Sequence, residues 1–201
     1  IIDIFTSMDI LGEFIQSFPE FFVGNTDAIF ESITKQFGSQ LNRNMKFVSS
    51  ALKLFKVLIE KADVLNLNPD IFQVILKQFI ENNFYDQLSV ELIINIIQFF
   101  IMKFPNQQII MNMFELCKEI LGKSFIQQDE LGEQMAALPN QTEGEYEIEN
   151  SKYRIENEFD KQKVITMAVT DFFLFLVNTF PQIVSEQFLH TLYSLYAEKK
   201  P

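Results

Sequence analysis

Tryptophan is absent from this 201-residue chain, cysteine and histidine occur once each, and glycine and proline occur only six times each. Each scarcity closes off a class. A single cysteine forms no internal disulfide and no zinc site of several thiolates. A Ser-His-Asp or Cys-His arrangement would have to use His190, which lies on the flank of a helical stripe made by Val184, Phe188, Leu192 and Leu195. It reads as a surface or boundary residue. Sparse turn residues argue against a β sandwich or barrel, whose short strands need a turn every few residues. Positive charge is also short, with 16 Lys and Arg against 27 Asp and Glu, a net charge of -11 and a pI near 4.6. Such a chain repels a phosphate backbone, and no basic stripe offsets that. Glycine-rich phosphate loops and HExxH are missing as well. The sequence therefore predicts no catalytic residue, no metal ligand and no cofactor.

What the chain has is apolar surface. Hydrophobic residues make up 48% of it and 23 residues are Phe, enough to offset the entropy of ordering a core. Long intervals between turn signals assign that surface to helices, so the fold class is all-α. The most apolar windows, Leu88 to Phe104 and Val164 to Phe180, contain Glu91, Asn95 and Gln98 in the first and Asp171 and Asn178 in the second. A bilayer span needs about 20 mostly apolar residues, so both windows read as buried helices. Cys117 follows Met113 and Phe114 on one helical face and reads as core. The chain opens on Ile1-Ile2-Asp3-Ile4-Phe5, inside an apolar helical pattern and without the marks of a secretory signal, and reads as an excised segment.

Repetition organises the chain. Phe14-Ile15-Gln16-Ser17-Phe18-Pro19, Phe100-Ile101-Met102-Lys103-Phe104-Pro105 and Leu176-Val177-Asn178-Thr179-Phe180-Pro181 each end an apolar run on Phe-Pro. Proline disfavours helix at the residue before it and suits the first turn of a new helix, so each copy marks the bend of a helical hairpin. Pro19 and Pro105 are 86 residues apart, two units of 43. HEAT and armadillo repeats run to about 40 to 47 residues, so this spacing predicts an α-α superhelix of that type. Hairpins are expected at 2 to 17 with 25 to 37, 43 to 62 with 69 to 81, 86 to 103 with 106 to 121, and 161 to 179 with 182 to 198. Asn68-Pro69 supplies an N-cap followed by proline, and Gly38 and Gly122 stand where C-terminal caps belong.

Pro105 to Pro181 spans 76 residues, one unit of 43 with 33 to spare. The surplus lies at 123–160, where the apolar period fades and acidic residues gather. From 129 to 160 ten acidic residues, Asp129, Glu130, Glu133, Glu143, Glu145, Glu147, Glu149, Glu156, Glu158 and Asp160, face only Lys152 and Arg154. The stretch reads as a long acidic inter-helix loop, functional or disordered, in an otherwise single solenoid segment over 1–201. Carboxylates at every second position from Glu143 to Glu149 lack the register of an EF-hand. They suit a solvated charge run or a docking site for a basic partner, and Tyr146, Ile148, Tyr153 and Ile155 between the charges would let the segment fold against one. Asn140-Gln141-Thr142 matches a glycosylation triplet by pattern.

The succession from Asp9 to Phe22, then Lys46-Phe47-Val48 through Leu58-Ile59-Glu60, resembles consecutive HEAT repeats of the importin-β (karyopherin-β) superfamily. An acidic insertion in a late repeat, as between Gly122 and Lys161, is similar to that of its large import receptors. The resemblance implies a nuclear transport receptor of cytoplasm and nucleus. It would hold protein cargo on the second helices of its hairpins, release it to the GTP-bound GTPase Ran, and touch Phe-Gly nucleoporins. Contacts with nucleic acid or membrane are not implied. Candidate cargo-binding residues are Glu31, Lys35, Asp70, Gln73, Lys77, Asn112, Glu115 and Glu186 on second helices, with Glu143, Glu145, Glu147 and Glu149 in the insert. A surface of that charge suits basic cargo. The other reading of the helices is a HEAT-type scaffold in a different assembly, such as a phosphatase regulatory subunit, a condensin-like subunit or a translation platform.

Overall fold

The computed structural model describes residues 4–35, 45–83, 87–137 and 145–197, and every regular element among them is helical. The elements are α1 (Ile4–Ser17), a 3-10 turn (Pro19–Phe22), α2 (Thr26–Thr34), α3 (Met45–Glu60), the short α4 (Ala62–Leu65), α5 (Pro69–Asn83), α6 (Gln87–Lys103), α7 (Gln107–Ala136), α8 (Glu145–Thr179) and α9 (Pro181–Ala197). No described helix is long and apolar enough to cross a membrane. Contacts group the chain into two compact units, Ile1–Ile110 and Met111–Pro201. In helical repeats each hairpin touches only its neighbours, which lets such a chain resolve into separate clusters.

In the first unit the helices lie in two rows. The first members of successive hairpins pack on one another, α1 on α3 and α3 on α6, and the second members, α2 and α5, pack together. Apolar residues at helical spacing create the rows: Phe47, Val48, Ala51, Leu52, Phe55, Leu58 and Ile59 of α3 are all buried, as are Phe72, Ile75, Leu76, Phe79 and Ile80 of α5. Phenylalanine rings tie the rows together. Phe72 on α5 lies 5.5 Å from Phe55 on α3, 5.0 Å from Phe100 on α6 and 5.8 Å from Phe30 on α2, between ring centroids. Offset and edge-on aromatic pairs at such distances add to area burial.

The predicted bends are present, each with its own chemistry. Phe18-Pro19 leads into the 3-10 turn, and Gly24, at φ 77°, takes the left-handed conformation that turns the chain into α2. Asn66, at φ 52°, closes α4, with the Leu67 amide donating to the Ala62 carbonyl at 3.0 Å. Asn68 caps α5 by accepting from the amides of Asp70 and Ile71 at 3.0 and 3.4 Å. Asn106 does the same for α7, from Gln108 and Ile109 at 2.8 and 3.4 Å. Pro181 opens α9 directly after Phe180.

Two expectations are corrected here. The stretch 123–160 is not one long loop, because α7 continues to Ala136 and α8 already begins at Glu145. Residues 138–144, and with them the Asn140 triplet, lie outside the described residues. Gly122 sits inside α7 rather than at its end, and Gly38 lies outside the described residues. Strings of Glu, Gln and Lys are good helix formers without any apolar stripe, and pairs three or four residues apart support them. Such pairs are Lys152 with Glu156, Lys161 with Glu158, and Lys163 with Asp160, at 4.0, 3.1 and 3.6 Å. The fading apolar period signalled loss of burial, not loss of helix.

Candidate functional site

The candidate residues of the first unit lie on its second helices, stacked through Phe30 and Phe72. Glu31 and Lys35 of α2 are exposed and pair with each other at 2.8 Å, and the Lys35 ammonium holds the Glu31 carboxyl below its ordinary value by hydrogen bond and charge. On α5, Asp70, Gln73 and Lys77 follow the i, i+3, i+7 spacing of one helical face. Asp70 and Lys77 are exposed, Gln73 is half-buried, and Lys77 is 3.9 Å from Glu81. Most of these side chains are thus free to meet a partner, and their pairs are exposed ones of little strength.

In the second unit Asn112 and Glu115 of α7 are half-buried, with Glu115 paired to Lys118, and Glu186 of α9 is exposed. Glu143 lies outside the described residues. Glu145, Glu147 and Glu149 fall in the first turns of α8, where carboxylates complement the helix dipole, and their side chains are outside the described set. Further along, α7 and α8 form an apolar cleft lined by Leu131, Met135, Ile155 and Phe159 and edged by Glu156, Asp160 and Lys163. Lys163 is held there by Asp160 at 3.6 Å and by the Phe159 ring, 4.8 Å from its centroid.

A buried polar layer that sequence reasoning missed fastens these two helices. The Ser124 hydroxyl lies 3.0 Å from the Gln162 carbonyl, 3.1 Å from Gln162 Oε1 and 3.2 Å from Thr166 Oγ1. The Gln128 amide donates to Thr166 Oγ1 at 2.8 Å and to the Gln162 carbonyl at 3.3 Å, and Gln162 Nε2 donates to Glu158 at 3.4 Å. The signal was legible in hindsight as two polar pairs four residues apart, Ser124 with Gln128 and Gln162 with Thr166, each interrupting an apolar stripe. Beyond Ser124 no described residue of α7 is buried, and Ile155 alone is buried among residues 151–160 of α8, so packing thins past this layer.

His190 is exposed, and Cys117 is fully buried, where loss of hydration pushes its thiol far above the ordinary cysteine range. A thiol held protonated is a poor nucleophile. Among the described residues no group of three or more His, Cys, Asp or Glu is placed to hold a metal ion. In comparisons with known proteins, no family model, curated protein or solved structure matches the chain.

Proposed function

We propose that this chain is a protein-binding helical-repeat segment whose partners are basic. The observation that carries the reading is the α7–α8 hairpin. It holds an open apolar cleft edged by Glu156, Asp160 and Lys163, next to the stretch 129–160, where ten acidic residues meet two basic ones. Apolar burial supplies affinity, and the surrounding negative field speeds encounter with a cationic partner and biases its choice. The exposed polar residues of α2 and α5 extend the same use to the first unit. The resemblance of residues 9–22 and 46–60 to karyopherin repeats supports the finer proposal, a segment of a nuclear import receptor that surrenders cargo to Ran.

The test begins with a fluorescein-labelled Lys/Arg-rich peptide and the intact chain. Binding is expected to weaken with salt, and to weaken again when Glu143, Glu145, Glu147, Glu149, Glu156 and Asp160 are changed to Gln. Unchanged binding by that variant overturns the basic-partner reading. Immobilised chain loaded with the peptide and washed with GTP-locked Ran separates the finer alternatives. Release by Ran supports the transport receptor, whereas indifference to Ran favours a static scaffold.

A further inference from the structure

A cleft between α3 and α6 runs against the charge of the chain as a whole. Its volume is about 460 Å³, its floor is Leu52, Leu92, Ile96 and Phe99, and its charged groups are Lys53 and Lys56. The remaining lining residues, Ser49 and Asn95, are uncharged, so no carboxylate lines it in a chain with 27 acidic residues. The floor is open, with Leu92 39% exposed and Phe99 half-buried. Lys35, Lys56, Lys77 and Lys103 of the same unit each have a carboxylate within 4 Å, whereas among the described residues Lys53, like Lys61, has none. Asp9 and Glu13 line the next cleft, between α1 and α3, which Lys53 shares, yet neither reaches ion-pair distance.

We propose that the α3–α6 cleft is a docking site for an acidic, apolar segment of a partner protein. Its apolar side chains would cover Leu92 and Phe99, and its carboxylates would pair with Lys53 and Lys56. Charge complementarity selects the occupant, because a basic segment would set like charges against both lysines. Lys56 can exchange partners, since its link to Glu60 is a 3.8 Å pair in which the lysine is 60% exposed. An apolar groove flanked by charge of one sign is a recurring receptor for an amphipathic helix of the opposite sign. This inference stands apart from the basic-partner reading, which concerns a different cleft of opposite charge.

The experiment is fluorescence anisotropy on the intact chain with a labelled synthetic helical peptide carrying Leu and Phe at i, i+3, i+4 and i+7 and Glu elsewhere. A chain of net charge -11 repels this probe in general, so binding requires a local site. The probe is expected to bind. Affinity should fall about tenfold in the double variant Lys53→Glu with Lys56→Glu and persist when both are changed to Arg. Both lysines are exposed, and thermal melts followed by circular dichroism will confirm that each variant folds. No binding, or equal binding by the folded double variant, overturns the proposal. Displacement of the probe by a synthetic peptide of residues 145–160 would reassign the cleft to the chain's own acidic helix. Sedimentation showing a dimer that the double variant abolishes would reassign it to a second copy. Either result overturns the partner assignment.

Discussion

Phe72 shows how much one side chain can hold. It is fully buried, and its ring meets Phe30, Phe55 and Phe100, so truncation removes contacts to three helices at once. Phe72→Ala should lower stability by about 3 to 5 kcal/mol. Phe21 is of the same type but 75% exposed, and Phe21→Ala should stay within about 0.5 kcal/mol of the parent. Urea titrations of the two variants check the pair, and similar losses would contradict the burial pattern. Gly122 offers a sharper case, because its two readings predict opposite signs. Inside α7, with nothing within 4 Å of an added Cβ, Gly122→Ala should stabilise by about 0.5 to 1 kcal/mol through helix propensity. At a left-handed cap the same change would destabilise. The direction of the shift in the urea midpoint decides.

Among the elements, α7 and α8 depend on polar rather than apolar specificity where their core ends. Ser124 is 2% exposed and Gln162 is 6% exposed, and each satisfies the other. Ser124→Ala leaves Gln162 Oε1 without its hydroxyl partner and should cost about 1 to 3 kcal/mol. Adding Gln162→Leu removes the stranded group, so the double variant should recover much of that loss. A double-mutant cycle measured by denaturant unfolding tests the coupling. Additive losses would mean that the hydroxyl and the amide act independently. The same helices change character along their length. Only Ile155 is buried among residues 151–160 of α8, whereas Gln162, Ile165, Val169, Phe172, Phe173 and Leu176 are buried beyond it. The charged half is held by local pairs and the apolar half by packing.

For the molecule as a whole, charge sets the response to solvent. At -11 the chain repels itself, and among the described residues its ion pairs are mostly exposed links within single helices, which contribute little. Screening should therefore remove more repulsion than attraction. The thermal midpoint is expected to rise between roughly 0.05 and 0.5 M NaCl, as the Debye length shrinks from about 14 Å to about 4 Å. Binding of a basic peptide should weaken over the same range. A midpoint that falls with salt would show that the ion pairs outweigh the net repulsion.

Local rules acting along the chain determined the helices and their bends. Phe-Pro and Asn-Pro placed the breaks, and residues such as Phe47, Leu58, Phe72 and Phe79 marked the buried faces, because a helical period is set by neighbours three and four residues away. Cys117 in the core and His190 at the surface followed from the same stripes. Tertiary structure alone decided what lies between helices. Whether 123–160 formed a loop or the continuation of α7 and α8 could not be read from the apolar period, since an exposed charged helix and a loop both lack one. The Ser124–Gln162 layer joins residues 38 positions apart, and the α3–α6 cleft brings Lys53 beside Leu92 and Phe99. Contacts across such separations arise from the packing of one helix on another, which no local period encodes.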